Sequence, residues 1–471
     1  MSMPNLANLA ACIEDARLAV LDTDPGPPNP TDFNSLRGRL VTAREHLPPL
    51  YQQAVADPLI AILNQLGRDD FTDLLINRSD LAAILFDIAQ TILQNGEGYE
   101  PRATDAFQEI ISDLYDGFLS AEDRVGVQPP DNAVIAPLVK WGNPQFGPYT
   151  FPREATSIFG SEAALVSLPP SNTRRGITAW AALGHETTGH DVLHADNGLQ
   201  QELAAAVFNG VNNAELGNHL AHYWRDRIDE TASDVMGILN MGPAAGIGLI
   251  AFFRGLNAAF TGVPKLRSEG LADDVHPADI LRGYLAAETA RLLECNDAAA
   301  WADAIEQETD NDVDTIRLAG QVITTENAKA SAKAVAMAIV NTPLFSLENQ
   351  SLGNIQNWRD RDEDIVAELI ALIGTPGTVT DNLERGFFAA HAVAAGVTAA
   401  LAPNANIGVI FNRMLDILKS MHDRNPSWGP LFVMHPGDLA RHLAYMPQAA
   451  STHVTVRKAP ARPGRQQRRI Q

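Results

Sequence analysis

The sequence is poor in cysteine and in basic residues, and both shortages exclude classes of protein. Its 471 residues include two cysteines, Cys12 and Cys295, too few for a disulfide framework and typical of reduced thiols. Lys and Arg number 35 against 57 Asp and Glu, so the net charge of −22 argues against broad nucleic-acid binding. No apolar segment precedes the early acids Glu14 and Asp15, so no signal peptide is predicted. We therefore expect a cytoplasmic protein that does not bind nucleic acid.

Long apolar runs are also scarce, with one exception. From Val235 to Phe253 the chain is nearly all apolar over 19 residues, which is the length of a membrane span. Gly242 and Pro243 interrupt this run near its middle, and a Gly-Pro break suits a turn between two soluble helices. We expect a buried helix–turn–helix there rather than a membrane span.

The rest of the chain alternates between sequence patterns typical of helices and patterns typical of strands. Helical spacing is visible in Leu59–Leu66 and Leu81–Leu93, after a proline-rich joint at Asp24–Pro30. A long helix is expected over Asn213–Asn240. Between the N-terminal helical stretches and this long helix, short β-prone runs separated by Gly and Pro predict a small sheet. These runs are NAVIAPLVKW (132–141), PYTF (148–151), ATSIF (155–159) and AALVSLP (163–169).

These patterns predict a mainly α fold of the α+β class, divided into four segments. The last of them contains six basic residues and no acid after position 456, a composition typical of disorder. The segments are an N-terminal helical domain (1–125), a central domain with the small sheet (126–290), a C-terminal helical domain (291–455) and a disordered basic tail (456–471).

The stretch HETTGH, from His185 to His190, differs by one residue from the zinc-hydrolase motif H-E-x-x-H. Histidines four apart lie about 40° apart around an α-helix and can share one ion, whereas five apart gives about 140°. A π-bulge restores the alignment, because five residues then make about one turn. Gly189 is the residue that best tolerates such a distortion. The alternative is a pair of ordinary histidines on an amphipathic helix.

A second polar element follows forty residues after His190. The run DETASD, from Asp229 to Asp234, lies on a predicted helix and leads directly into the long apolar run. Its Glu230 and Asp234 are four apart and share a helix face, so one can bind a metal while the other orients a ligand histidine. Acids that enter a buried helix need a partner inside the protein, which weighs against a merely solvated cluster.

With these two elements the chain resembles the gluzincin zinc metallopeptidases, in which a helix with H-E-x-x-H precedes a helix with E-x-x-x-D. HETTGH is similar to the H-E-x-x-G-H of dipeptidyl peptidase III. ETASDVMG looks like the E-x-x-A-D-x-x-G helix of the HtpX/CAAX-protease-like peptidases, and HPADILR (276–282) looks like their H-P-x-x-x-x-R. The resemblance covers about 100 residues, from 183 to 284.

The resemblance implies a zincin-like metallopeptidase core within residues 126–290 and a bound Zn²⁺. The ligands would be His185, His190 and Glu230. Glu186 would be the general base that takes a proton from a metal-activated water, and Asp234 would orient a ligand histidine from behind. The strand-like AALVSLP run would present the edge to which an extended peptide substrate adds.

In the same comparison, His276 would donate a hydrogen bond to the oxyanion. Its alternative role is a simple helix start, since His-Pro-x-Asp suits an N-terminus. Arg282 and Tyr284 are candidates for substrate binding, with a structural salt bridge as the alternative for Arg282. The pattern recurs in HPGDLAR, from His435, and position in the chain favours His276 over His435.

Four further residues could in principle replace a ligand. His194 follows His190 by four residues, His219 and His222 precede Glu230, and Glu215 is a rival acidic ligand that lacks a following acid. For each of these an ordinary structural role is the favoured interpretation.

Three functions are compatible with these motifs. The leading hypothesis is a zinc-dependent peptidase that acts on a peptide or protein substrate. The second is a metal-dependent hydrolase of a non-peptide amide or ester, using the same site. The third is a non-catalytic scaffold in which a metallopeptidase-like core is structural and the helical ends bind a partner.

Overall fold

The computed structural model describes residues 4–120, 123–132, 135–375, 388–425 and 427–428. Over these residues the protein is mainly helical and contains two small three-stranded sheets. The predicted fold class is therefore confirmed at this coarse level. The HPGDLAR motif with His435 and the basic tail at 456–471 lie outside the described residues.

The N-terminal part is helical, as predicted. The helical spacing at Leu59–Leu66 and Leu81–Leu93 falls within two long helices, and the proline-rich joint separates the first helix from the second. The side chain of Asp32 accepts a hydrogen bond from Ser35 N and so begins the second helix. The helices are α1 (Leu9–Leu21), α2 (Phe33–Arg44), α3 (Pro49–Tyr51), α4 (Asp57–Asn77), α5 (Ser79–Glu97) and α6 (Pro101–Leu119), with a π-helical turn (Gln52–Ala56) between α3 and α4.

The first sheet contains β1 (Leu138–Trp141), β2 (Tyr149–Phe151) and β3 (Leu165–Leu168) in the order β1-β3-β2. Strand β3 pairs in parallel with β1 and antiparallel with β2. The expectation that the AALVSLP run offers a free edge is wrong, because β3 is the central strand and is buried along its whole length. Strand β2, one of the two outer strands, lies nearest the site described below.

One predicted strand is helical instead. The ATSIF run forms α7 (Arg153–Thr156) and a 3₁₀ turn (Ser157–Phe159). The hydroxyl of Thr156 donates to Arg153 O and Ala163 O, which ties the turn to the start of β3. Local β-propensity was therefore overridden by these hydrogen bonds.

The central helices form the part of the fold that holds the polar motifs. They are α8 (Ile177–Ala181), a π-helix (His185–Gly189), a 3₁₀ turn (Val192–His194), α9 (Leu199–Asn213), α10 (Asn218–Arg225), α11 (Ile228–Met241) and α12 (Pro243–Thr261). The single helix expected over Asn213–Asn240 is wrong, since α10 and α11 are separate. The break lies at Arg227, whose guanidinium donates to Tyr223 O and Leu271 O.

The long apolar run is a helix–turn–helix, as the Gly-Pro break predicts. Gly242 has a φ of 75° and links α11 to α12, and Pro243 occupies the first turn of α12. Among the described helices, α12 is long and apolar enough to cross a membrane, but 72% of that stretch is buried inside the protein. A core helix of a protein without membrane spans has the same properties.

The C-terminal part is again helical, and it contains a small second sheet that the sequence analysis missed. Its strands have two or three residues each, too short for an alternating pattern to be recognised. The elements are β4 (Glu269–Gly270), α13 (Asp279–Arg291), α14 (Ala298–Asp310), β5 (Ile316–Leu318), β6 (Gln321–Ile323), α15 (Thr325–Asn341), α16 (Leu352–Ile355), α17 (Asp360–Gly374), α18 (Ala389–Leu401) and α19 (Ile407–His422).

Aromatic side chains from all three predicted domains meet in one core. The ring of Trp180 lies 6.0 Å from that of Phe107 on α6, 6.5 Å from that of Trp141 on β1 and 5.9 Å from that of Phe411 on α19. All four side chains are buried. The packing therefore continues across the positions of the predicted domain boundaries, and the domain division stays a prediction.

Candidate metal centre

The π-helix and α11 lie in direct contact because small residues face each other. A Cβ added to Gly237 would lie 2.9 Å from the backbone of Gly184 and His185. One added to Gly189 would lie 2.0 Å from Ser233 Cβ, closer than any real contact. The predicted π-helical irregularity is confirmed. Glycine was expected at position 189 because it tolerates a distorted backbone. The φ of Gly189 is not in the left-handed region, however, and glycine is needed there because Ser233 approaches so closely.

This contact brings together three side chains of the kinds that can bind a metal ion. The Nε2 atoms of His185 and His190 are 3.1 Å apart. Glu230 Oε2 lies 3.3 Å from His185 Nε2, and Glu230 Oε1 lies 3.6 Å from His190 Nε2. Each of the three residues offers one potential ligand atom, and these three atoms all lie within 4.8 Å of one another. The three residues that the sequence nominated as ligands therefore converge.

A carboxylate behind each histidine fixes the orientation of its ring. His185 Nδ1 is 2.8 Å from Asp234 Oδ1, and His190 Nδ1 is 2.8 Å from Asp229 Oδ2. Ionised carboxylates only accept hydrogen bonds, so each Nδ1 carries the proton and donates it. In the neutral tautomer each Nε2 then presents a lone pair to Glu230 and to the other histidine.

Such an arrangement needs a cation at its centre. Two imidazole lone pairs and a carboxylate repel one another at 3.1–3.6 Å unless a proton or a metal ion lies between them. Ligand atoms bound tetrahedrally to zinc at about 2.0–2.1 Å lie about 3.3–3.4 Å apart, close to the distances found here. Among the described residues, buried Glu230 Oε2 makes no hydrogen bond of standard geometry, and its nearest charged neighbours are His185 at 3.3 Å and Arg282 at 3.6 Å. The residues present therefore fit a metal ion.

The charges of the buried centre are strongly coupled. Burial opposes the charged form of His185, but hydrogen bonds with Asp234 and Glu230 raise its pKa to about 10. Burial would raise the pKa of Glu230, yet His185, with the charges of Arg282 and His190, holds it well below its usual range. Without metal, the centre thus retains a proton on His185 at neutral pH.

Arg282 stabilises the centre from the side of α13. Its Nε lies 2.8 Å from Asp234 Oδ2 and its NH2 lies 2.7 Å from Asp234 Oδ1, a bidentate pair that is fully buried. The NH1 group is 3.6 Å from Glu230 Oε2. The structural salt bridge, given above as the alternative to substrate binding, is thus formed, and Arg282 also borders the cleft.

Glu186 lies beside the three ligands and is held by the edge strand. The hydroxyl of Thr150, on β2, is 3.1 Å from Glu186 Oε2 and 2.9 Å from Glu186 O. Glu186 is mostly buried but borders the same cleft as the ligands. Its carboxylate is not part of the group formed by His185, His190 and Glu230.

His276 occupies the open side of the centre. Its Nε2 is 3.4 Å from Glu230 Oε1, and its Nδ1 is 3.0 Å from Asp274 Oδ1. The side chain is 49% exposed and borders the cleft. His276 does not belong to the group formed by His185, His190 and Glu230. Its position beside that group suits a hydrogen-bond donor better than a metal ligand. The alternative role as a helix start is also met, because the stretch from His276 leads directly into α13, which begins at Asp279.

The remaining candidates lie in other surroundings. Tyr284 is buried and donates its hydroxyl to Asp310, so the structure does not bring it to the cleft. His219 contacts Leu318 O, His222 packs on Phe208, and Glu215 is exposed at the end of α9. His194 lies close to the centre but contacts Asp229 Oδ1, at 3.4 Å, rather than the ligand group.

The sequence motifs assigned no role to three residues of the site. Asp229 begins the DETASD run, and its position directly before Glu230 was the available signal. Thr150 is 36 residues before Glu186 on a different element, so no local pattern connects the two. Asp274 contacts His276 Nδ1 and lies only two residues before it, so its closeness in sequence was the available signal.

The centre opens into a cleft with a volume of about 720 Å³. Strand β2 and the turn before it border the cleft on one side, and α1 and α12 border it on another. No protein-family profile, no curated protein and no solved structure matches this chain. The residues that border the cleft are therefore the features of the chain that bear on its function.

Proposed function

We propose that the protein is a zinc-dependent peptidase. The observation that carries this proposal is the convergence of His185, His190 and Glu230, with Glu186 beside them in an open cleft. Two imidazoles and one carboxylate, with an open position, form the ligand set of catalytic zinc in hydrolases. The proposal includes a zincin-like core, made of the π-helix, α11 and the three-stranded sheet that contains β2.

Each residue has a chemical role in this proposal. His185, His190 and Glu230 would hold the ion, which when bound supplies Lewis acidity for hydrolysis. Glu186 would accept a proton from the attacking water at its free carboxylate and pass it to the leaving amine. Nε2 of His276 would donate a hydrogen bond to the oxyanion that develops on the substrate carbonyl.

The edge strand supports a peptide as the substrate. Tyr149 and Thr150 of β2 border the cleft, and β2 pairs with β3 on one side only within the described residues. An outer strand with unpaired backbone groups can accept an extended peptide as an additional strand. The peptide would then lie beside Glu186, whose carboxylate Thr150 contacts.

The direct test of the general base is Glu186→Gln. We expect turnover of an unbiased peptide library to fall about 10²–10⁴-fold, because the amide cannot accept the proton. Zinc content should not change, since Glu186 is not a ligand. Glu162→Gln, at an exposed position outside the cleft, is the matched control and should leave both unchanged. Unchanged hydrolysis in Glu186→Gln would place the chemistry elsewhere.

The test of the oxyanion donor is His276→Ala. Turnover should fall about 10²–10³-fold with zinc retained, the usual loss for one such donor. His435→Ala, the same change in the second copy of the motif, should leave turnover within about tenfold. The reverse pattern would assign the donor to His435.

A second candidate function has one observation in its favour. A cleft of about 720 Å³ has the size of pockets that enclose small ligands. The same residues could therefore hydrolyse a non-peptide amide or ester. Cleavage of small chromogenic amides and esters, with a peptide library left intact, would favour this candidate over a peptidase.

A further inference from the structure

Helix α12 presents an apolar face to the cleft. Its cleft residues recur at helical spacing, which places them on one side of the helix. The apolar ones are Leu249, Phe252, Phe253, Leu256 and Phe260, and the polar one is Asn257, whose amide nitrogen donates to Lys265 O and Asp279 Oδ2. Phe252 and Phe253 are almost fully buried, Leu256 is half-buried and Phe260 is 76% exposed, so the face extends from the interior to the rim.

Helix α1 completes this apolar wall. Its residues Ala16, Ala19 and Val20 border the same cleft. The two helices touch closely, because a Cβ added to Gly255 of α12 would lie 2.5 Å from Ala16 Cβ. Residues from the start of the chain therefore shape the cleft of the central segment.

The apolar wall begins directly beside the metal centre. The guanidinium of Arg282 stacks on the ring of Phe253 at 4.4 Å and lies 3.6 Å from Glu230 at the same time. A substrate whose reacting bond lies near Glu230 would therefore place a neighbouring side chain against α12. The wall is a continuation of the proposed active site and not a separate groove.

We propose that the surface formed by α1 and α12 is a specificity pocket for one large apolar side chain, aromatic or branched aliphatic, of a peptide next to the cleaved bond. This inference rests on the proposed peptidase function for the chemical class of its ligand. The five apolar α12 residues offer no hydrogen-bonding side chain, and the amide nitrogen of Asn257 is already engaged, so a charged group placed against this face would lose its hydration without compensation. An apolar side chain gains from burial in the same place.

The test uses equilibrium binding, so that it does not depend on turnover. The probes are alanine hexapeptides in which one residue is Phe, Leu, Ala or Asp, with the substituted position moved along the chain and with free or blocked ends. Binding is measured by calorimetry to zinc-loaded Glu186→Gln protein. At one position, Phe or Leu should bind about 10- to 100-fold more tightly than Ala, and Asp most weakly.

A charge placed in the wall sharpens the test. Leu256→Asp should abolish the preference for Phe and Leu and favour a Lys probe instead. Leu18→Asp, on the exposed side of α1 and outside the cleft, should keep the wild-type preference. Circular dichroism establishes that both variants are folded, and if Leu256→Asp is not, Leu256→Asn replaces it.

The outcomes separate this inference from the proposed function. If peptides are cleaved by the wild type but bind to Glu186→Gln protein without side-chain preference, the pocket is refuted and the peptidase stands. If the apolar probes bind selectively while no peptide is cleaved, the peptidase is refuted and the pocket stands. An unchanged preference in folded Leu256→Asp would overturn the assignment to α12.

Discussion

His185 and His190 each donate a hydrogen bond from Nδ1 to an aspartate at the same distance, but one aspartate is buried and the other is partly exposed to solvent. Behind His185, Asp234 is fully buried and forms a bidentate pair with Arg282. Behind His190, the side chain of Asp229 is 39% exposed and is shared with His194 and Gln200. Both carboxylates lie 2.8 Å from the ring nitrogen that they orient.

This difference separates two functions of an orienting carboxylate. A buried carboxylate both aligns the ligand and neutralises a buried cation, so its loss affects folding as well as metal binding. An exposed carboxylate aligns the ligand only, since water can hydrate its partners after its removal. We therefore expect His185 and Asp234 to contribute to the stability of the fold. We expect His190 and Asp229 to affect mainly the binding of the metal ion.

The largest predicted effect is the contrast between Asp234→Ala and Asp229→Ala. Without Asp234, the charge of Arg282 remains buried without its bidentate partner, and the free energy of unfolding should fall by about 3–5 kcal/mol. Without Asp229, it should fall by less than about 1 kcal/mol, while zinc affinity drops about 10- to 100-fold. Denaturant unfolding of metal-free protein and zinc titration measure the two quantities. Equal losses of stability in the two variants would remove the distinction.

The next effect concerns the helix contact that both sides share. In Gly189→Ala the new methyl group meets Ser233 at 2.0 Å, next to the backbone of α11, so the helices must separate. We expect a loss of about 1–3 kcal/mol in stability and weaker zinc binding, because His190 moves away from Glu230. Gly38→Ala, where nothing lies within 4 Å, is the matched control and should be neutral or slightly stabilising. Unchanged zinc affinity in Gly189→Ala would show that the close contact does not set the ligand geometry.

The smallest effect is the coupling of zinc to protons on the His185 side. Since the folded pKa of His185 is raised from 6.5 to about 10, its contribution to metal-free stability is complete below pH 6.5 and is lost as the pH rises through 10. Zinc must displace this proton, so zinc affinity should increase about tenfold per pH unit between pH 7 and 9. Calorimetry in buffers of different ionisation enthalpy should detect about one released proton. Zinc affinity that does not change with pH over this range contradicts the assignment.

Local motifs allowed the π-helix and the two polar clusters to be recognised, because HETTGH and DETASD are each six consecutive residues, and pairing the two clusters predicted the convergence of His185, His190 and Glu230. The role of Glu186 as general base stays a prediction. The sequence also predicted the Gly-Pro turn after α11 correctly. It failed where tertiary contacts decide the structure. Strand β3 is central because β1 pairs with one of its edges and β2 with the other. The break before α11 depends on Arg227, which contacts a loop more than forty residues away.

The cleft could not be predicted for a similar physical reason. Thr150 reaches Glu186 only after the sheet has formed, and α1 reaches α12 across more than two hundred residues of chain. Apolar residues at helical spacing predict a buried face, but they do not distinguish a face covered by protein from one that borders a cavity. The specificity pocket therefore became visible only when the packing was known.

Zinc content tests the central claim most directly, since every role assigned here depends on the ion. Elemental analysis of the purified protein should find about one zinc per chain. His185→Ala and Glu230→Ala should each lose most of it, and His46→Ala, at an exposed position on α2's C-terminal turn, should keep it. Full zinc content in both ligand variants, or no metal in the wild type after loading with Zn²⁺, would contradict the account.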